Sequence, residues 1–381
     1  MRMSASDAEL RRAAELRLVA SDIRWSWGIA RDVAAQVISS PIPLLCLMPY
    51  LSLIIYESQR YLVGWEPTLA QTLALQHAHV IEQSRHRIKL FDDTQLGMEG
   101  VAKYFSEDLM AAHRAKFIQS VRLPLAALWK ADLGLYAYGN RQIATTHVVH
   151  FNLGTSPDML RRGNENVTKG VGEDMGKYLA VLSGSLKLTF PQLNWDAKSL
   201  LSQIDSGQLA HKDVRSSKYY PSHFGGNLPI GIGAALDAFR CALNTIDVLI
   251  SADMSPEAAE AVFKIRFVTL YHVLKGVQQL HSVHSHALDQ EADQRLIDIE
   301  QHATTSMLLT DNARWCRNTL IHYGINRSVP TGDLDLLKPL AGLAEFYFPG
   351  VGFTKLATDV ENHAELVARS LDEWGAQGSD P

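Results

Sequence analysis

From Leu228 onward, apolar residues recur at spacings of three and four, a periodicity that leaves little alternative to packed helices. Ile232, Leu236, Phe239, Leu243, Ile246 and Ile250 form one stripe. Phe263, Phe267, Leu270, Leu274, Val277 and His281 form a second. It follows Ser255-Pro256-Glu257, where serine suits an N-cap and proline the first helical position. Leu296, Ile299 and Ala303, then Ala313, Cys316 and Leu320, make a third; Phe353, Leu356, Val360, His363, Val367 and Trp374 make a fourth. Pro339 opens a shorter helix ending near Phe348, just before Pro349-Gly350. Such stripes, joined by short turns, predict an up-down helical bundle over 228–376.

The rest of the chain divides at a change in pattern. Residues 1–140 read as a mainly helical N-terminal region. Ser6 or Asp7 caps a helix running past Leu16, Ile23 and Ile29 to Val37, with a break at Ser39-Ser40-Pro41. The apolar stretch Ile42–Tyr56 reads as a buried helix or a short membrane-peripheral hairpin, being shorter than the roughly 20 residues a bilayer span needs. After Pro67, Leu69, Leu73, His77 and Val80 share a helical face that runs on to Ile88. Further helices are expected over Leu109–Ile118 and Leu123–Tyr136. Residues 141–227 form a mixed connecting region. Gln142–Leu153, rich in β-branched residues, predicts a strand; Gly154–Gly176 predicts a loop. Tyr178–Phe190 is either a hairpin around Ser183-Gly184 or one helix, and a boundary is expected near Gly225-Gly226. The fold class is therefore mainly α, with a small β element.

Of the 381 residues, 46% are hydrophobic and 20% charged, which excludes a largely disordered chain. A net charge of -5 excludes a uniformly basic nucleic-acid coat but leaves room for a local basic cleft. Arg85-His86-Arg87-Ile88-Lys89 and Arg161-Arg162 are the most basic stretches, either solvated faces or an RNA-steering surface. Trp25, Trp27 and Trp65 read as core residues. Cys46, Cys241 and Cys316 are too scattered for a disulfide framework or a zinc ribbon, so a reducing compartment is expected. Met1–Leu18 carries no apolar core of a secretory signal, and a cytoplasmic location follows as the expectation.

Chemistry concentrates in Arg314-Trp315-Cys316-Arg317-Asn318-Thr319-Leu320-Ile321-His322-Tyr323-Gly324. Asn318 and His322 are four apart on a helix and share a face, so the amide can orient the imidazole. Arg317 lies roughly 140° around the helix and about 7.5 Å below His322, within reach of the same groove through its long stem. A guanidinium on phosphate beside a proton-moving imidazole suffices for metal-free RNA cleavage, with the ribose 2′-OH as nucleophile. Alternatively, Arg314, Arg317 and His322 merely complement the dipole of a helix end at which Gly324 is the stop.

The run Arg317-Asn318-Thr319-Leu320-Ile321-His322 resembles the signature of the HEPN superfamily of helical-bundle ribonucleases: arginine, a polar residue, then histidine on a late helix of the bundle. The likeness covers about Leu228–Trp374. Looser Arg–His pairs occur at Arg141/His147, Arg266/His272 and Arg295/His302, but only Arg317 is followed by asparagine with this gap. Where a toxin subgroup of that family has tyrosine two places after the histidine, this chain has Gly324, with Tyr323 one place earlier. The resemblance implies catalytic Arg317 and His322, supporting Asn318, and Arg314 and Tyr323 as substrate-side neighbours. It implies cleavage of single-stranded RNA to a 2′,3′-cyclic phosphate and a 5′-hydroxyl, without metal or cofactor. It also implies a homodimer, an antitoxin or regulatory partner, and a role in defence, toxin–antitoxin or stress response. The reading from another class is a non-catalytic dimerisation or partner-binding protein in which the motif is a relic.

Other candidates carry less. His281 and His284 are three apart, with His286 close by, but no carboxylate completes a recognised zinc spacing, and a solvated helix end is expected. Gly170, Gly172 and Gly176 lack the spacing of a phosphate loop. His147 and His150 would face opposite sides of the predicted strand.

Overall fold

A computed structural model describes residues 5–64, 73–89, 97–120, 131–162, 165–225, 227–253 and 255–376. The expectations for Trp65, Leu69 and 123–130, and for the side chains of Arg161 and Arg162, lie outside the described residues.

The fold is mainly helical with a small antiparallel sheet. Helix α1 spans Ala5–Ala34, α2 Ile42–Val63, α3 Ala78–Lys89 and α4 Gly97–Lys103. Through a π-helical turn at Tyr104–Leu109, α4 leads into α5, Met110–Ser120. Short helices α6 (Thr146–Asn152) and α7 (Pro157–Arg162) precede the long α8 (Glu165–Thr189), and α9 covers Ser216–Ser222. Then come α10 (Ile230–Asn244), α11 (Ala259–His284), α12 (Gln290–Gln301), α13 (Ala303–Leu308), α14 (Asp311–His322), α15 (Pro339–Tyr347) and α16 (Phe353–Ala376).

Three of the four C-terminal stripes are buried largely as their periodicity predicts, while the third in chain order is split over α12, α13 and α14 with Ala303 exposed. On α16, Leu356, Val360, His363, Val367, Leu371 and Trp374 are buried, on a helix that is polar elsewhere. Helix α11 is buried on most sides and packs against α12, α14 and α16, but also against α1. One apolar cluster takes in Ile23, Leu47, Leu179, Phe267, Leu320 and Trp374, so N-terminal, middle and C-terminal segments share a core. Helix α2 runs seven residues past the predicted Tyr56, with Pro49 inside it. By length and composition it could cross a membrane, yet 72% of its apolar window is buried within the protein.

The middle region departs most from expectation. Leu133–Tyr138 is strand β1, where helix was expected to run to Tyr136, and Arg141–Thr145 is β2. Gly139 and Asn140 join them with φ of 55° and 66°, the two left-handed positions of the tight hairpin turn that suits strand twist. β3 (Leu209–Val214) pairs antiparallel to the other side of β1, from Leu133↔Val214 to Tyr138↔Leu209. It is an exposed edge carrying His211, Lys212 and Asp213, and charges of this kind discourage pairing with other chains. The strand expected to reach Leu153 ends at Thr145, whose side chain accepts from Val148 N at 3.1 Å and caps α6. The loop expected over Gly154–Gly176 is largely α7 and the first half of α8, and Tyr178–Thr189 continues α8 as one helix. A Cβ at Gly170 would collide with the His77 imidazole, which packs there and bonds Asp174 at 3.0 Å. That glycine serves helix packing.

The N- and C-terminal segments are locked by a buried ionic cluster. Lys264 on α11 pairs with Asp22 on α1, each 4% exposed, and Tyr323, just past α14, donates to Asp22 Oδ2 at 2.7 Å. The Lys264 ammonium also donates to Tyr323 Oη at 3.0 Å. Removing one partner strands the other charge in the core. Asp22→Ala is therefore expected to lower unfolding stability by about 3–5 kcal/mol, and the double change Asp22→Leu/Lys264→Met to recover most of that loss, read by urea denaturation.

Candidate active site

The motif helix α14 is capped by Thr310, whose hydroxyl accepts from Ala313 N at 3.2 Å. It ends one residue earlier than the expected Gly324 stop. Tyr323 itself adopts the left-handed conformation, φ 61°, and its N–H bonds Thr319 O at 2.9 Å. A non-glycine residue pays roughly 1–2 kcal/mol for that geometry. The buried Asp22 and Lys264 contacts, and an edge-to-face contact with Tyr61 at 6.0 Å, hold it there. Tyr323 is thus a core anchor, 1% exposed.

The other motif residues occupy different environments. Arg314 is exposed, pairs with Asp311 at 3.2 Å and lies 5.7 Å from the centre of the Trp315 ring. Arg317 is buried, with its guanidinium carbon 5.0 Å from the centre of the Tyr271 ring. Asn318 is half-buried, one turn below His322. The His322 side chain is 38% exposed, and its Nδ1 lies 2.8 Å from Oε2 of Glu57 on α2.

Glu57 is the functional candidate that the sequence reading did not single out. Its carboxylate is 1% exposed, and its Oε1 meets Arg85 Nε of α3 at 2.7 Å. The three groups form a line, guanidinium to carboxylate to imidazole, running from the core to the surface. A buried carboxylate needs such partners. In chemical terms Glu57 fixes the ring orientation and favours the tautomer with a proton on Nδ1, which makes Nε2 the basic nitrogen. A visible signal existed: Glu57 is the first charged residue of α2 after fifteen uncharged positions.

Within the basic run Arg85–Lys89, Arg85 is turned into the core rather than onto the expected surface, and Arg87 is half-buried. Arg85 is buried by Glu57 and lies 4.3 Å from the centre of the Tyr56 ring, and Arg87 lies over Tyr104 and Phe151. A basic feature does occur just after the motif. Arg11, Arg12 and Arg327, with Asp7 and Glu15, line a cleft of about 1000 Å³ between α1 and the segment following α14; neither Arg317 nor His322 lines it. Arg11 is itself engaged, donating to the carbonyls of Asn326 and Val329.

Elsewhere, His281 is engaged by Glu300 at 2.9 Å and Asp293 at 3.1 Å, and His284 by Glu99 at 2.6 Å, so this helix end is ion-paired. His147 and His150 share one side of α6 and both approach His113, with His147 Nε2 3.2 Å from His113 Nδ1. This differs from the opposed strand faces expected. Among the described residues, no group of three or more His, Cys, Asp or Glu is placed to hold a metal ion. Cys46, Cys241 and Cys316 are buried free thiols. Trp25 is core, as expected. Comparison with family models, with curated proteins and with solved structures gives no match.

Several buried histidines favour the neutral ring. Burial lowers His147 to about 3 and His150 to about 4, with neighbouring imidazoles adding to the effect, and it lowers His113 as well. Burial and then His302 bring His363 to about 4. Their folded pKa values lie below the unfolded 6.5, so their contribution is complete above pH 6.5 and is lost as pH falls toward 4. Each uncompensated proton costs about 1.4 kcal/mol per pH unit in that window. His281, raised chiefly by its hydrogen bond to Glu300, acts in the opposite sense. The urea midpoint is expected to fall between pH 6.5 and 5, and His363→Gln to flatten that slope.

Proposed function

We propose that the protein is a metal-independent endoribonuclease of the HEPN type, acting on single-stranded RNA through attack of the ribose 2′-OH. The observation that carries this reading is the Glu57–His322 pair: a half-exposed imidazole held at Nδ1 by a buried carboxylate, on the helix that bears the Arg-Asn-x3-His run. In this mechanism His322 takes the 2′-OH proton as general base and returns a proton to the leaving 5′-oxygen. Arg317 would stabilise the crowded phosphorane after its guanidinium swings off Tyr271. Asn318 would support the ring from one turn below, and exposed Arg314 would meet the RNA strand. The cleft with Arg12 and Arg327 offers further phosphate contacts. The family resemblance adds a homodimer, an antitoxin or regulatory partner and a role in defence, toxin–antitoxin or stress response; the scattered free cysteines fit a cytoplasmic setting.

The test is cleavage of single-stranded RNA in EDTA. Wild type is expected to yield 2′,3′-cyclic phosphate ends. His322→Ala and Arg317→Ala are each expected to lose about 100-fold or more in rate, while Glu57→Gln retains partial activity with an altered pH profile. Equal cleavage by wild type and His322→Ala would remove His322 from the mechanism. Inertness of the wild type toward every RNA would favour a non-catalytic dimerisation or partner-binding protein.

A further inference from the structure

Helix α3 carries a second arginine, half-buried, that the Glu57–His322 pair does not use. The guanidinium carbon of Arg87 lies 4.5 Å from the centre of the Tyr104 ring and 4.9 Å from that of Phe151. Its Nε is sealed from solvent without a hydrogen-bond partner. Among the described residues no carboxylate acts on it, and burial pulls its pKa below the ordinary arginine range. Arginine nonetheless stays charged at neutral pH. Cation–π contact offsets only part of the desolvation around the guanidinium. Among the described residues the guanidinium has no counter-charge.

Arg87 lines a small, partly open pocket of about 50 Å³ between α2, α3, α6, α10 and α11. Asn152, Thr245, Thr269 and His272 supply polar groups at its wall, Phe239 is among its apolar residues, and among the described residues no Asp or Glu lines it. A water needs roughly 10–15 Å³ of such space, so the pocket admits about three to five heavy atoms at most. That is the size of a chloride, a nitrate, an acetate or an inorganic phosphate.

We propose that this pocket binds a small anion, of phosphate size or less, with the Arg87 guanidinium as its charge partner. The anion supplies the missing counter-charge, and the amide, hydroxyl and imidazole groups at the wall complete its hydrogen bonds. Binding spans helices from both halves of the chain. Two residues before Arg87 on α3, Arg85 holds Glu57, so the pocket and the Glu57–His322 pair share one helix.

The test follows thermal unfolding of the full chain while chloride, nitrate, acetate or phosphate is titrated at constant ionic strength, with bulky gluconate as the background anion. Arg87→Met removes the charge and keeps the stem. Ala242→Met fills the pocket and leaves Arg87 in place, so it reads the site even where Arg87→Met fails to fold. At least one anion is expected to raise the wild-type midpoint saturably, by on the order of 5 °C, and to leave the folded variants unmoved. A rise of equal size in wild type and Ala242→Met would show a bulk salt effect and overturn the proposal. Absence of a saturable rise with all four anions would overturn it equally.

Discussion

One carboxylate, Asp22, holds together parts of the chain that lie hundreds of residues apart. It accepts from the Lys264 ammonium of α11 and from the Tyr323 hydroxyl at the end of α14. None of these groups is stable in the core alone, because each would surrender its hydration without return. Together they offset one another and tie α1, α11 and the turn after α14 to one another. The chain turn after His322 is set by this cluster, since Tyr323 accepts a left-handed backbone only because its ring and hydroxyl are held.

His322 is placed by that turn and oriented by a second polar line, Arg85 to Glu57 to His322. Here the burial gradient matters. Arg85 and Glu57 are nearly inaccessible, whereas the imidazole is 38% exposed. A rigid interior thus presents one titratable group at the surface. Arg317, one turn and a half earlier, faces the interior instead, against Tyr271. The two motif residues share a helix but not an environment.

Much of the helical architecture was legible. The stripes on α10, α11 and α16 are buried as their spacing requires, because a helix with one apolar face has little choice of which face to bury. The middle region was less legible because local signals there compete. Thr145 could continue a strand or cap a helix, and its hydroxyl settles the matter for the helix. Leu133–Tyr138 became a strand because a two-residue turn at Gly139-Asn140 and an edge strand more than seventy residues away both pair with it. Glycines in α8 suggested a loop, but one of them is there to admit a histidine ring.

The sequence by itself determined which faces of the helices are apolar, where several helices start, and which short run brings arginine, asparagine and histidine onto one helix. Those properties depend on residues within a turn or two of each other. Tertiary structure alone decided that Glu57 holds His322, that Arg317 lies under an aromatic ring, and that Arg87 faces a pocket without a carboxylate among the described residues. Those are pairings of distant charged groups, chosen by which desolvated ions can meet once the helices pack, and no local spacing encodes them.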